Sequence, residues 1–180
     1  MIFILPTDTC YGIGCYTDNI EDYKRIYEIK NRSFSKPLAI FLNNFDEIEK
    51  YAYISEKQLD FLKKYNHPFT VLLKIKDKKL IEKLPNKDNY KKIAFRIADN
   101  IVLKNYTKKG PIFLTSANFS GELEMYNNLD LKNKFKNYLE EVEIDDTIKE
   151  IPINKPSNIF EFIDDNDKNN VNIKYLRKNY

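Results

Sequence analysis

An α/β layered domain with a mixed sheet is the fold class this sequence predicts, and three observations lead to it. Short apolar, β-prone runs alternate with stretches of helical spacing along the chain, the pattern of layered α/β architectures. Hydrophobic residues make up 42% of the sequence and aromatics 14%, enough for a globular core. At 180 residues the chain is one domain by size, taken here as 1–180, with no internal repeat and no long linker.

In order, Ile2 to Leu5 is a strand ended by Pro6, and Thr7, Asp8 and Thr9 form a polar connection. Cys10 to Tyr16 has the character of a second strand, although Gly12 and Gly14 weaken it unless something approaches its backbone closely. Asp18 or Asn19 can cap a helix running to about Asn31, with Ile20, Tyr23, Ile26, Tyr27 and Lys30 at helical spacing. The run PLAIFL is a short strand, and Phe45 to Tyr51 and Ser55 to Tyr65 are helical, the second capped by Ser55 and ended by His67-Pro68. Phe69 to Ile75 is a buried strand, Lys78 to Leu84 a short helix, Ile93 to Ile97 a strand, and residues 100 to 108 are helical.

Ile112 to Leu114 is a further strand. Leu129 to Val142 has the spacing of an amphipathic helix. Asn154 to Ile163 is a turn entering a strand, DDNDKNN a polar turn, and Val171 to Arg177 the return arm of a hairpin.

Two scarcities mark where the backbone and the charges have special work. The four glycines all fall in PTDTCYGIG and GPIFLTSANFSG. In the second segment, Thr115, Ser116, Asn118 and Ser120 follow at the carboxyl end of a strand, where open α/β sheets place ligands. Of 30 basic residues 26 are lysine, so Arg32, Arg96 and Arg177 are candidates for gripping phosphate or carboxylate in a planar fork. Arg25 lies among other charges in a helical pattern and is set aside. Arg96 interrupts an apolar strand, which a ligand anion or a water-facing edge would explain. Lys30, Arg32 and Lys36 put three cations within seven residues and suit a polyphosphate, while Lys-x-Arg at a helix end also complements the macrodipole.

Other classes recede. A net charge of +3 creates no strong field for nucleic acid. Apolar runs of about five residues are far short of a membrane span of about 20. No signal peptide precedes the first strand, Cys10 and Cys15 are placed on opposite faces, and one histidine gives no Cys/His zinc site. The expected compartment is reducing cytoplasm.

Taken in order, PTDTCYGIG, KNRSFSKPL, HPFT, IAFRI, GPIFLTSANFSG, PSNIFEF and YLRK resemble the YrdC/Sua5 family, the L-threonylcarbamoyladenylate synthases, across essentially the whole chain. The resemblance implies a three-layer α/β fold, with a twisted mixed sheet flanked by helices around a concave basic pocket. It implies condensation of ATP, L-threonine and bicarbonate to threonylcarbamoyl-AMP and pyrophosphate, with Mg2+ accompanying ATP and no organic cofactor. A partner transferase complex would carry the group to adenosine 37 of tRNA, and weak tRNA or RNA binding accompanies that expectation.

Carried over by motif, Thr9, Arg96, Ser116 and Ser157 would contact threonine. Lys30 and Arg32 would be the catalytic cations, and Lys30, Arg32, Lys36, Asn118 and Arg177 would hold ATP. No residue is assigned to a metal. The chain departs from the family in having Met1 almost at the first strand, Ser157-Asn158 for Ser-Thr, His67-Pro68 for Pro-Gly-Pro, and Lys178-Asn179 after Arg177. A double-stranded RNA-binding module without catalysis is the alternative, and it requires basic residues spread over a wide face.

Overall fold

The computed structural model describes residues 1–163 and 171–180, so the expected DDNDKNN turn lies outside the described residues. Among the described residues nine strands form one sheet: β1 (Ile2–Pro6), β2 (Tyr11–Tyr16), β3 (Ala39–Leu42), β4 (Phe69–Leu73), β5 (Ile93–Ile97), β6 (Ile112–Ser116), β7 (Val142–Ile144), β8 (Asn158–Phe162) and β9 (Ile173–Arg177). Their spatial order is β7-β1-β2-β6-β3-β5-β4-β8-β9. Pairs β1/β7, β3/β5 and β4/β8 are parallel and the others antiparallel, so the sheet is mixed as expected. The helices are α1 (Ile20–Ile29), α2 (Ile48–Tyr51), α3 (Glu56–Lys64), α4 (Lys79–Glu82), α5 (Ile101–Thr107) and α6 (Asn128–Lys134).

Alternation along each strand sends neighbouring side chains to opposite faces. One face carries Ile2, Ile4, Tyr11, Ile13, Ile40, Val71, Phe95, Phe113 and Phe160, and these pack with Tyr23 and Ile26 of α1, Leu62 of α3 and Leu131 of α6. Each such side chain contributes roughly 1.5–3 kcal/mol on burial, so this face anchors the fold. The other face carries Phe3, Leu5, Phe41, Ile112 and Leu114, covered by Val102 and Leu103 of α5. Helices thus lie on both faces, but α5 leaves part of the second face open.

The caps follow the sequence. Asn19 accepts from the Asp22 N–H to start α1, and Ser55 forms a capping box with Gln58 at α3. The end of α1 has a consequence for the site. Asn31 adopts a left-handed conformation (φ 49°), Arg32 N–H bonds Tyr27 O at 2.9 Å, and Asn31 N–H bonds Glu28 O at 3.0 Å. That is a Schellman turn with asparagine in the position usually held by glycine. It directs Lys30 inward along the helix's buried side and sends Arg32 outward over the open part of the second face.

Two expectations need correction. The helix expected over Leu129 to Val142 stops at Lys134; a 3-10 turn over Lys136–Tyr138 follows, and Val142 instead begins β7 beside β1. The second strand begins at Tyr11, with Cys10 in the preceding bend. The choice left open for Arg96 is also resolved: β5 lies between β3 and β4, so this arginine is on an interior strand.

Candidate active site

A cavity of about 320 Å³ opens over the uncovered part of the second face, at the small end of the range for ligand sites. Phe41 of β3, Ala94 and Arg96 of β5, Leu114 and Ser116 of β6, Thr70 of β4 and Ile159 of β8 form its floor. They share a face because register aligns them: Phe41 pairs with Arg96, Ala39 with Leu114, and Thr70 with Ile159. The site lies over the sheet's face, and Ser116, the last residue of β6, lines it as its position implied. The sheet being mixed, Thr70 and Ile159 line it from near the starts of β4 and β8. A mixed sheet has no common carboxyl end for a ligand to occupy.

Thr9, Arg32, Arg96, Ser116, Ser157 and Arg177 all line the cavity, so six of the nine residues singled out by sequence come together. The turn joining β1 to β2 folds on itself: Thr7 Oγ1 donates to Cys10 O at 2.7 Å and lies 3.1 Å from Thr9 Oγ1. Arg96 pairs with Asp8, and its Nη1 donates to Thr9 Oγ1 at 3.4 Å. Its guanidinium lies 4.9 Å from the Phe41 ring centre, and the side chain is only 12% exposed. A cation this enclosed is costly unless partnered. Asp8 supplies one partner while other guanidinium donors remain for a second anion. Burial, then the charge of Asp8, pushes Asp99 up to about 7, although that residue keeps solvent access.

At the far wall, Arg177 donates from Nε to Ser157 O at 2.9 Å and from Nη2 to Ser157 Oγ at 3.2 Å, while Thr70 Oγ1 lies 3.0 Å from Ser157 Oγ. Desolvation, then the neighbouring Arg96, lowers the pKa of Arg177. Two arginines converging on one hollow make it attractive to an anion. Arg32 reaches it from the loop after α1, donating from Nε to Lys36 O at 3.1 Å. Cys10 also lines the wall, but burial pushes its thiol up to about 11, so it is protonated at neutral pH and no nucleophile.

Lys30, Lys36 and Asn118 do not line the cavity. Lys36 is exposed on its loop. Lys30 is 1% exposed, and its ammonium donates to Ser116 O, Asn118 O and Asn118 Oδ1. Ser116 Oγ donates to the same Asn118 Oδ1 at 2.7 Å, and Ser120 N–H bonds Lys30 O at 2.9 Å. In this arrangement Lys30 acts on the site through the turn after β6, holding the backbone of Ser116 and Asn118.

Burial, then the charge of Arg32, pushes Lys30 down to about 7. Replacing it with methionine leaves buried oxygens without donors and should cost about 1–3 kcal/mol at pH 7, read in urea unfolding. The sign of the pH dependence follows. Because the folded pKa is below lysine's usual 10.5, the unfolded chain holds more protons between pH 7 and 10.5. Stability due to Lys30 therefore rises across that window. The difference between wild type and Lys30→Met should widen from pH 7 to pH 10, and a constant difference would refute the assignment.

Cavity residues without a role from the sequence include Thr70, Glu124, Tyr126 and Asn154. Thr70 belongs to the HPFT motif and could have been found there. Glu124 follows the TSANFSG motif in a segment of no regular pattern, and nothing in the sequence pointed to it.

Comparisons with known proteins converge. The family model Sua5/YciO/YrdC, described as "Telomere recombination", matches residues 1–177. A protein of Methanocaldococcus jannaschii, provisionally named threonylcarbamoyl-AMP synthase, is 34% identical over 91% of this chain and 75% of its own. The threonylcarbamoyl-AMP synthase of Riesia pediculicola is 31% identical over 74% of each chain. The crystal structure of P. abyssi Sua5 complexed with L-threonine superposes with a TM-score of 0.74 at 24% identity, a likeness of fold. That match covers 89% of this chain but only 46% of that protein, so this chain spans just under half of it.

Proposed function

The chain belongs to the Sua5/YciO/YrdC family, and from that premise we infer that it is a threonylcarbamoyl-AMP synthase. ATP and L-threonine are its substrates, bicarbonate supplies the carbamoyl carbon, and pyrophosphate leaves. The observation that carries this reading is the convergence of Arg32, Arg96 and Arg177 with Thr9, Ser116 and Ser157 on one hollow. Arg96 takes the threonine carboxylate in a fork, and the hydroxyls of Thr9, Ser116 and Ser157 supply oxygen partners for its polar groups. The amine joins bicarbonate with loss of water, giving a carbamate. A carbamate oxygen then attacks the α-phosphorus, and the bond to pyrophosphate breaks.

Such a displacement needs alignment and neutralised charge more than a protein nucleophile. Arg32 and Arg177 meet the phosphates at the cavity rim, Lys36 extends the cationic loop, and Lys30 and Asn118 hold the turn beneath them. No set of three or more His, Cys, Asp or Glu able to hold a metal occurs among the described residues. Magnesium would accompany ATP, whose phosphate oxygens are the hard ligands it prefers. The product passes to a transferase complex acting on tRNA. No helix among the described residues is long and apolar enough to cross a membrane. The RNA-binding alternative finds less support, because the arginines converge on one cavity instead of a broad face.

The test is pyrophosphate release from Mg·ATP with each of several amino acids. Release requiring both L-threonine and bicarbonate is the expected outcome, and release independent of threonine overturns the reading. Arg32→Ala should weaken ATP binding about 10- to 100-fold, the scale of losing a charge-assisted contact. Unchanged nucleotide affinity in calorimetry would remove the phosphate role.

A further inference from the structure

Among the described residues, one carboxylate lines the cavity with Arg32, Arg96 and Arg177, that of Glu124, and its charge is felt at Arg177. Its segment is fixed on both sides. Tyr11 N–H bonds Met125 O at 3.0 Å, Ile151 N–H bonds Tyr126 O at 2.8 Å, and Asn127 pairs with Glu150. Glu124 itself is half-buried and makes no hydrogen bond or ion pair among the described residues. The hydroxyls around it are already engaged: Thr9 with Thr7 and Arg96, Ser116 with Asn118, and Ser157 with Thr70 and Arg177. It lines the cavity together with Cys10, Tyr126 and Arg177, whose ionisation its charge affects, and it also borders a neighbouring hollow beside Met125 and Ile151.

The nearby arginines favour this carboxylate, but none of them bonds it directly, so its oxygens remain open to accept from a positively charged group of a ligand in the cavity. Resting on the synthase reading, we propose that Glu124 is the counter-ion of the substrate's α-ammonium group. With Arg96 receiving the carboxylate, the two side chains of opposite sign recognise the two charges of an α-amino acid zwitterion. Glu124 thereby makes the site prefer an amino acid over the hydroxy acid of the same shape. A residue that merely offsets Arg177 would show no such preference.

Calorimetry with L-threonine and with 2,3-dihydroxybutanoate, in which a hydroxyl replaces the amine, separates these roles. Wild type should favour threonine by about 10-fold or more. Glu124→Gln keeps the shape and removes the charge, so it should lower threonine affinity about 10-fold and leave the analogue within about twofold, erasing the preference. Glu124→Ala should act alike, and both variants should keep the wild-type thermal midpoint within a few degrees. Equal shifts for both ligands, or an unchanged preference, overturn the role of Glu124 while leaving the synthase reading in place. Failure of wild type to bind threonine at all overturns both.

Discussion

Gly14→Ala is expected to lower the thermal midpoint by about 10 °C. A Cβ built on Gly14 would lie 2.1 Å from the carbonyl oxygen of Phe113 and 2.6 Å from Leu114 Cδ1. The first contact is with the backbone of β6, paired to β2 through Gly14↔Leu114, so no flexible side chain can yield. Overpacking costs typically 1–3 kcal/mol and more when the backbone must shift, and about 3 kcal/mol is a large share of a domain's stability. At roughly 2–4 °C per kcal/mol for a chain of this size, the shift should be plain in a calorimetric scan. Gly121→Ala provides the contrast. Nothing lies within 4 Å of its added Cβ, and only its positive φ of 89° is penalised. That change should cost about 1 kcal/mol, the scale of a residue held in a sparsely populated backbone region. Equal losses at the two positions would show that close approach of β6 is not what reserves Gly14.

Arg96→Lys should reduce threonine affinity about 10- to 100-fold and leave ATP affinity within about twofold. Lysine keeps the positive charge and can still pair with Asp8, but it cannot donate to Asp8, Thr9 and a substrate carboxylate from one rigid plane. It also replaces the guanidinium lying over the Phe41 ring with a smaller ammonium. Losing one or two charge-assisted hydrogen bonds accounts for the magnitude. The readout is a pair of titrations, threonine against the protein and ATP against the protein, with the thermal midpoint as a check on folding. Parallel losses for both ligands would place Arg96 in a general cationic field instead of a carboxylate site.

Much of this was legible in the sequence because local rules governed it. The five residues spaced along α1 are buried or half-buried as their period requires, and the period that placed Lys30 among them already put it on the inner side. The resemblance assigned that lysine to phosphate; burial with three oxygen partners became visible only when β6 and α1 were brought together. Strand β7 was hidden for a related reason. Leu131, Phe135 and Val142 satisfy a helical period, and only the parallel pairing of Val142 with Ile2, about 140 residues away, makes the last of them a strand. Arg96 announced itself as an anomaly in an apolar strand, whereas Glu124 stands where charge is ordinary. Its isolation inside the cavity is a property of tertiary structure alone.

The interleaved order of the strands also sets a timetable for synthesis. β1 must wait for β7, and β4 for β8, so the chain cannot finish its sheet until its last quarter has left the ribosome. Until then the edges of β1 and β4 stand unpaired beside a partly uncovered apolar face, the condition under which nascent chains aggregate. Non-local pairing of this kind closes slowly. The cavity spans Thr7 to Arg177, and its far wall of Ser157, Ile159 and Arg177 arrives last. A nascent chain therefore holds most of its core before it has a place to bind a substrate, and competence to bind comes only with the closing hairpin.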